Sequence, residues 1–221
     1  MNNVYNPPRS EMVEFLPPGA TAVLDVGCSS GFFGGELRKR HEQIRLIGID
    51  PNETAVRLAR AIYDEVIVGS FPLAQNRLPD GERYDAIFFN DVLEHMACPE
   101  VALTAARDLL SPRGVIVASI PNIRHISVLG PLIVRDEFRY RDSGILDRTH
   151  LRFFTARSIR RLFDSSGWQI MEMRGINRGL RVGESRERRW IGAASCISRG
   201  WTDGFFFVQY AVVACPTYWS E

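Results

Sequence analysis

One stretch near the start of the chain, AVLDVGCSSGFFGG at residues 22–35, limits what the chain can fold into more than any other. Four of its first five residues are apolar, which predicts a buried strand, and Gly27 then begins a loop of small residues. Basic residues at 38–40 favour the last turn of a helix that begins near Phe33. A strand, a tight glycine loop and a helix in this order are typical of an α/β sheet that binds a nucleotide at the carboxyl end of its first strand.

The spacing of the glycines narrows the class of nucleotide. A dinucleotide site carries G-x-G-x-x-G, whose backbone amides receive a pyrophosphate. The glycines of this chain stand at 27, 31, 34 and 35, and Asp25 precedes the first of them by two residues. Because a carboxylate repels a nearby phosphate and attracts a cation, the loop suits a positively charged ligand better. A nicotinamide-dependent oxidoreductase is therefore the weaker alternative.

The run LDVGCSSG at 24–31 resembles the first motif of the class I S-adenosylmethionine-dependent methyltransferases, D/E-x-G-x-G-x-G. Ser29 stands in place of the middle glycine, which a serine can do where its backbone keeps a negative φ. The resemblance implies S-adenosylmethionine as the cofactor and S-adenosylhomocysteine as its product. The cofactor-binding residues that it implies in this loop are Asp25, Gly27, Cys28, Ser29 and Gly31.

Two further strand ends carry polar residues that could reach the same ligand. The run RLIGIDP predicts a strand that ends at Asp50 and Pro51, about 20 residues beyond the glycine loop, where a carboxylate can bind both hydroxyls of a ribose. The alternative is that Asp50 caps the next helix, predicted from Glu53 to Tyr63 with Ala55, Leu58, Ala59 and Ile62 on its apolar face. A third strand ends before Ser70 and Phe71, which the resemblance places at the adenine; an ordinary turn is the alternative reading.

The run YDAIFFNDVLEH at 84–95 closely resembles a second segment of the family, YDxIxxxxVLEH. The resemblance implies that Asn90, Asp91 and Val92 follow a strand next to the first and face the methionine end of the cofactor. For His95 we expect packing or capping rather than proton transfer. A helix from Pro99 to Leu110 and a strand over Val115–Ile120 are predicted next.

The least regular stretch, residues 122–154, is predicted to be an insert that overhangs the carboxyl end of the sheet and covers the substrate. It resembles the insert of a group of bacterial small-molecule methyltransferases in which a GILDRTHLRFFT run recurs. A hydroxyl acceptor benefits from a base near neutral pKa, and we expect His150, oriented by Asp147, to be that base, with His125 as the second candidate. The alternative is that Asp147, Arg148 and His150 hold the loop together by hydrogen bonds.

The family resemblance covers about residues 20–170. The length of 221 residues, with 45% of them hydrophobic, predicts one domain over 1–221. The expected fold is α/β and Rossmann-like, a doubly wound, seven-stranded, mostly parallel sheet whose last strand is antiparallel. The last two strands are predicted at Trp168–Met173 and Phe205–Ala214, after a helix capped by Thr155. Residues 1–20 are expected to form an N-terminal cap, and 174–203 an Arg-rich connection between the last strands.

Composition excludes several other classes. The net charge of +1 gives no reason to expect nucleic acid. The four cysteines have no C-x-x-C pair, which argues against a zinc site and fits a reduced, cytoplasmic protein; no metal is expected. No run approaches the apolar length of a membrane span. The Arg-rich connection could touch an anionic membrane or a phosphate group, although a solvated connection is the simpler interpretation. The expected partner is a small molecule, with a hydroxyl of a sugar or carbohydrate intermediate as the acceptor; the alternative is a non-catalytic cofactor-binding subunit or sensor.

Overall fold

The computed structural model of the protein describes residues 8–178 and 203–217. The strands of these ranges are β1 (Ala22–Val26), β2 (Arg45–Asp50), β3 (Glu65–Val68), β4 (Tyr84–Asn90), β5 (Leu110–Pro121), β6 (Trp168–Arg178) and β7 (Phe207–Pro216). The α-helices are α1 (Phe32–Arg40), α2 (Glu53–Ala59), α3 (Pro99–Arg107), α4 (Ile126–Arg135) and α5 (Ala156–Ser165). Short 3-10 helices lie at Ser10–Phe15, Leu73–Arg77, Leu93–His95 and Asp203–Phe205.

The strands form one seven-stranded sheet in the order β3-β2-β1-β4-β5-β7-β6. Strands β1 to β5 pair in parallel, and β7 pairs antiparallel with both β5 and β6. The predicted doubly wound sheet with an antiparallel last strand is therefore confirmed. The strand order reverses beside β1, because the chain moves from β1 to β2 on one side and later adds β4 on the other. Ligands of open α/β sheets bind in the crevice that this reversal leaves at the carboxyl ends of the strands.

Both faces of the sheet are buried, which is why its central strands are almost continuously apolar. Along β1, Val23 packs on the face that carries α1, whereas Leu24 and Val26 pack on the face that carries α3 and α5. Helix α5 contributes Phe163 to the second face, in the same cluster as Trp168. As predicted, Thr155 caps this helix, and its Oγ1 accepts a hydrogen bond from the amide of Ser158 at 3.2 Å.

Two boundaries in the middle of the chain differ from the prediction. Helix α3 ends at Arg107 rather than Leu110, and β5 begins at Leu110 rather than Val115. Leu110 pairs with Tyr84 in the neighbouring strand, and a register shift after Tyr84 accommodates the irregular SPRG piece that follows. A buried strand partner thus extends β5 back through residues whose local sequence predicts a turn.

Helix α2 is shorter than predicted, because it ends at Ala59 instead of Tyr63. Leu58, assigned to the apolar face, is 63% exposed, so that assignment was wrong. Tyr63 leaves the helical path and is buried, and its hydroxyl donates a hydrogen bond to the Asp25 carboxylate.

The last two strands also differ from the prediction: the first is longer than its apolar run, and the second is displaced toward the carboxyl end of the chain. Strand β6 extends to Arg178 rather than Met173, and β7 covers Phe207–Pro216 rather than Phe205–Ala214, because the two pair from one end to the other. Residues 179–202 of the Arg-rich connection lie outside the described residues, so its contact with a membrane stays a prediction. No helix in the described ranges is both long and apolar enough to cross a membrane.

The predicted insert, residues 122–154, folds back over the end of the sheet. It contains α4, whose outer residues Ile133 and Val134 are exposed, and a charged segment that follows it. The amide of Ile123 donates to the carbonyl of Phe154 at 2.9 Å, so the two ends of the insert meet. The insert therefore has a closed base and returns to the sheet beside its point of departure.

Candidate functional site

A cavity of about 530 Å³ lies at the carboxyl ends of β1, β2 and β4, under the insert. Its walls bring together residues from the glycine loop, two strand ends and the insert. The predicted site residues that line it are Gly27, Ser29, Asp50, Pro51, Asn90, Asp91, Val92, Asp147 and His150. Lining residues that the sequence analysis did not assign to the site include Arg9, Glu94, Asn177 and Gln209.

Gly27 gives the loop a close approach that no other residue would allow. Its φ is +79°, and a Cβ built on it would lie 2.5 Å from Cγ2 of Val92. Ser29 has a φ of +46°, so the expectation that its backbone keeps a negative φ was wrong. The Ser29 amide donates to Oδ2 of Asp50 at 2.9 Å, a hydrogen bond that accompanies this left-handed conformation.

The Asp50 carboxylate holds backbone groups on both of its oxygens. Besides the Ser29 amide on Oδ2, Oδ1 accepts from the amide of Asn52 at 2.7 Å. The cap of α2 is Asn52, whose side chain accepts from the amides of Thr54 and Ala55, so the alternative reading of Asp50 as the helix cap was wrong. Asp50 thus presents a fixed negative charge at the cavity wall.

The other predicted residues of the glycine loop are Asp25, Cys28 and Gly31, and they lie beneath the loop rather than at the described cavity. Asp25 is 1% exposed, and burial raises the pKa of its carboxyl to about 7, against the lowering effect of the Tyr63 hydroxyl. Cys28 is buried beside Gly48, and burial likewise raises the pKa of its thiol. Gly31 has a φ of +86° at the start of α1. None of the three predicted binding residues Asp25, Cys28 and Gly31 is among the residues that line the described cavity.

Ser70 and Phe71 also lie outside the described cavity. Phe71 is buried against Phe89, with 5.8 Å between the ring centroids, and Ser70 is exposed. The Ser70 carbonyl accepts from the amide of Ala74, as expected for a tight turn after β3. This placement fits the ordinary turn that we gave as the alternative.

The end of β4 supplies the polar group best suited to bind a ligand. Both side-chain atoms of Asn90, Oδ1 and Nδ2, are buried and have no hydrogen-bond partner among the described residues. Such buried groups are normally satisfied, so an unsatisfied amide in a cavity wall indicates a ligand or a water. Its neighbour Asp91, with a φ of +54°, accepts from Arg9 and from Gln209.

Arg9 and Gln209 close the cavity from two distant parts of the chain. Nη1 of Arg9 donates to Oε1 of Gln209 at 2.7 Å, across 200 positions of sequence. No local pattern could bring these two residues together. Gln209 did carry one indication of a role, because it is an amide within the otherwise apolar run FFFVQYAVVA.

His150 lines the cavity, but its partners differ from those predicted. Its Nδ1 lies 3.0 Å from the carbonyl oxygen of Ile145, and its Nε2 lies 4.0 Å from Oε1 of Glu94. Burial lowers the pKa of the ring, which keeps it neutral. Because a carbonyl can only accept, Nδ1 carries the proton and Nε2 has a free lone pair.

Asp147 does not orient His150, and that part of the prediction was wrong. Its carboxylate accepts from Thr149, at 2.8 Å from the amide and 2.6 Å from Oγ1. Arg148 pairs instead with Asp142 at 2.7 Å. A carboxylate two residues from a threonine in a turn is already occupied locally, so the loop-holding role given as the alternative fits Asp147 and Arg148.

His125, the second candidate base, lies outside the described cavity. It is 3% exposed and forms the N-cap of α4, where its Nδ1 accepts from the amide of Ser127 at 3.2 Å. The capping bond occupies Nδ1 of the ring, and the assignment of His125 as a second base stays a prediction.

Glu94 is the most unusual residue of the site. Its side chain is fully buried, and neither carboxylate oxygen has a hydrogen-bond partner among the described residues. Burial raises its pKa to about 8. Its backbone carbonyl accepts from the amides of Leu151 and Arg152, at 2.8 and 3.0 Å, and so joins the insert to the end of β4. His95 stands beside it, and its ring meets that of His150 edge on, with 4.7 Å between centroids.

Comparison with known proteins places this geometry in a family. Residues 5–173 match the methyltransferase domain family. The chain belongs to that family. Over 159 residues it is 26% identical to a ubiquinone biosynthesis O-methyltransferase of Dinoroseobacter shibae, covering 70% of this chain and 62% of that protein. A probable S-adenosylmethionine-dependent methyltransferase of Mycolicibacterium smegmatis is 27% identical over 162 residues, 73% of this chain and 57% of that one.

This methyltransferase-family chain thus spans less than two thirds of the length of these curated relatives. Solved structures share its fold. A methyltransferase from Archaeoglobus fulgidus has a TM-score of 0.66 at 18% identity and covers 93% of this chain and 90% of its own. The plantazolicin methyltransferase BpumL, in complex with SAH, has a TM-score of 0.61 at 17% identity, with 94% and 80% covered. The expectation of a class I methyltransferase is therefore confirmed at the level of family and fold.

Proposed function

We propose that the chain transfers a methyl group from S-adenosylmethionine to a hydroxyl group of a small molecule. The observation that carries the proposal is the unpartnered, buried amide of Asn90 in a cavity that Asp50 also lines. Family membership supports the reaction class. An acidic and amide-lined crevice suits a cationic nucleoside and is unfavourable for a pyrophosphate.

The residues present fit this cofactor. The cavity of about 530 Å³ lies within the ~300–1,000 Å³ usual for small-molecule sites. Gly27 leaves open backbone where a side chain would collide with Val92, Asp50 offers its carboxylate to the ribose hydroxyls, and Asn90 offers its amide to the methionine end. When bound, S-adenosylmethionine supplies a methyl group already activated by its sulfonium.

The chain must then position the acceptor, exclude water and take up a proton. The insert covers the cavity and contributes Ile145, Asp147 and His150 to its wall. His150 is neutral, and its Nε2 lone pair would accept the proton of the acceptor hydroxyl while the methyl group passes from sulfur to the acceptor oxygen and S-adenosylhomocysteine is left. The Glu94 side chain lies 4.0 Å from that nitrogen; burial favours the neutral form of its carboxyl group, and it would release its proton more readily once the ring is charged.

For the acceptor, we propose a hydroxyl of a sugar or carbohydrate intermediate, on the basis of the resemblance of the insert. The curated relatives named as ubiquinone biosynthesis O-methyltransferases suggest a second kind of oxygen acceptor, one from ubiquinone biosynthesis. A panel that contains both sugars and intermediates of ubiquinone biosynthesis distinguishes the two, because turnover would be confined to one class.

Thermal unfolding in the presence of S-adenosylmethionine, S-adenosylhomocysteine and NAD in parallel tests the cofactor. A ligand that binds only the native state raises the melting temperature, so the first two should stabilise the chain and NAD should not. Stabilisation by NAD alone would overturn the proposal. Binding of S-adenosylhomocysteine without turnover on any acceptor would favour a non-catalytic sensor instead.

A further inference from the structure

We infer that Glu94, His95 and His150 form a binding site for a divalent transition-metal cation, with Zn²⁺ as the first candidate. One ligand atom from each of the three residues lies within 4.8 Å of the other two. All three residues line the cavity. The presence of the site does not depend on the proposed methyl transfer, although its use in activating an acceptor does.

The buried carboxylate of Glu94 is the strongest reason to expect a cation. The residue is 0% exposed, and neither of its oxygens has a hydrogen-bond partner in the described part of the chain. An ionised carboxylate buried without a partner is strongly unfavourable, so such a group keeps a proton, pairs with an opposite charge or coordinates a metal. A cation held between Glu94 and the two imidazoles would satisfy this carboxylate.

The two histidines are oriented as metal ligands usually are. A ligating imidazole commonly donates its second ring N–H to a carbonyl or carboxylate, which fixes the tautomer and leaves the other nitrogen free. Nδ1 of His150 lies 3.0 Å from the carbonyl of Ile145. Nδ1 of His95 lies 3.3 Å from the carbonyl of Thr149 and 3.1 Å from its Oγ1, which can accept because its own proton is donated to Asp147. In both rings Nε2 is thereby left with its lone pair.

The spacing is close to that of a coordinated cation. Ligand atoms in a tetrahedral Zn²⁺ site with bonds of about 2.0 Å are separated by about 3.3 Å. Nε2 of His150 and Oε1 of Glu94 are 4.0 Å apart, so a small side-chain rotation would bring them to that separation. The backbone around the site is already fixed. The carbonyl of Glu94 accepts from the amides of Leu151 and Arg152, which links the segment that carries His150 to the segment that carries Glu94 and His95.

The donor set narrows the metal. Two imidazole nitrogens with one carboxylate oxygen suit Zn²⁺ and Co²⁺ and are less suited to Mg²⁺, which prefers oxygen ligands. Three protein ligands leave a fourth position of Zn²⁺ free, and in a site that lines a cavity this position can take a water or an acceptor oxygen. If the proposed methyl transfer is correct, a hydroxyl bound there would lose its proton more readily, and with the cation bound it is the cation, not the Nε2 lone pair of His150, that activates the acceptor.

Titration calorimetry of the EDTA-treated full chain with ZnCl₂, and with MgCl₂ as the contrasting salt, tests the inference. We expect one Zn²⁺ per chain, much weaker binding of Mg²⁺, and visible absorption from the chain loaded with Co²⁺. Glu94→Gln and His150→Ala should each weaken Zn²⁺ at least tenfold. His41→Ala is the matched control, because His41 is exposed at the end of α1 and far along the chain from the site.

A variant of the exposed ligand His95 keeps the test valid if the variants of the buried ligands fail to fold. His95 is exposed, so His95→Ala should fold and should also weaken Zn²⁺ and abolish the Co²⁺ absorption. Absence of Zn²⁺ binding to the wild type, or equal binding by wild type and His95→Ala, would overturn the inference. Neither result would affect the proposed function, which is tested separately by stabilisation with S-adenosylhomocysteine and by turnover.

Discussion

The Nε2 atom of His150 lies 4.0 Å from Oε1 of Glu94, and both side chains are nearly excluded from solvent. One partner comes from the insert and the other from the short helix after β4. Burial lowers the pKa of His150 and raises that of Glu94, so each favours its neutral form. The neutral imidazole of His150 can accept a proton at Nε2. A cation bound at the same point would stabilise the ionised form of Glu94, which burial otherwise disfavours.

Replacement of His150 by alanine should remove catalysis while leaving cofactor binding intact. Loss of a positioned base commonly lowers turnover by about 10²–10⁴-fold. The measurement is kcat with the best acceptor of the panel, together with the melting-temperature increase caused by S-adenosylhomocysteine. His41→Ala serves as the control for a lost surface imidazole. Normal turnover in the His150 variant would remove its assignment as the base.

Glu94 should make stability depend on pH in a definite direction. Burial raises its pKa from 4.5 to about 8, so the folded chain retains a proton that the unfolded chain releases between those values. Its contribution to stability is therefore fully present below pH 4.5 and is lost as the pH rises toward 8. Glu94→Gln should become more stable relative to the wild type across this range, by up to about 1.4 kcal/mol per pH unit.

Urea unfolding of both proteins in EDTA measures this difference at successive pH values. The raised pKa of Asp25 acts in the same direction in both proteins and cancels in the comparison. A free-energy difference that stays constant with pH would show that Glu94 titrates normally in the folded chain.

Gly27 should tolerate no side chain, and a second glycine provides a matched control. Gly27→Ala combines a φ of +79° with a Cβ contact of 2.5 Å to Val92. Gly19 has a φ of +77° but nothing within 4 Å of its Cβ position. Gly19→Ala should cost about 1 kcal/mol through backbone strain, whereas Gly27→Ala should cost roughly 2–4 kcal/mol because overpacking adds to it.

Calorimetric titration with S-adenosylhomocysteine should show a loss of affinity in Gly27→Ala only. Equal affinity in the two alanine variants would separate the glycine loop from the cofactor.

Variants of Asp50 and Asn52 should distinguish a loss of ligand binding from a loss of the helix cap. Asn52→Ala removes the cap of α2 and should cost about 1 kcal/mol of stability with little change in cofactor affinity. Asp50→Asn keeps the shape but loses the charge that the ribose hydroxyls and the Ser29 amide would use. We expect at least a tenfold loss of S-adenosylhomocysteine affinity, because hydrogen bonds to charged groups contribute about 1.5–3 kcal/mol. Unchanged affinity in Asp50→Asn would contradict the ribose assignment.

The sheet could be predicted because its signal is local. Leu24 and Val26 belong to a strand buried on both faces, and such a strand is apolar whatever surrounds it. Gly27, Asp50 and Asn90 were predictable as cavity residues for a related reason: each stands where a parallel strand ends, and those ends share one edge of the sheet.

The partners of the site residues could not be predicted in the same way. Asp147 and His150 are three residues apart in the sequence. Whether their side chains form a hydrogen bond depends on the turn between them, in which the Asp147 carboxylate accepts from the amide and hydroxyl of Thr149 instead. Arg9 reaches Gln209 across the whole domain. Glu94 lies inside the YDAIFFNDVLEH segment, but that its carboxylate has no hydrogen-bond partner among the described residues is a property of the packed structure. Side-chain pairing of this kind depends on tertiary packing and has no sequence period.

The hydrogen bond between Tyr63 and Asp25, beneath the glycine loop, can be tested by mutation. The Tyr63 hydroxyl donates to the Asp25 carboxylate, and both groups are buried. Tyr63→Phe keeps the ring but leaves the carboxylate without this donor, so we expect a loss of about 1–3 kcal/mol in the free energy of unfolding. Because the Tyr63 hydroxyl lowers the pKa of Asp25, the variant should move that pKa above its present value of about 7. In an Asp25→Asn background the same Tyr63→Phe change should cost less, and an equal cost in both backgrounds would show that the two residues are not coupled.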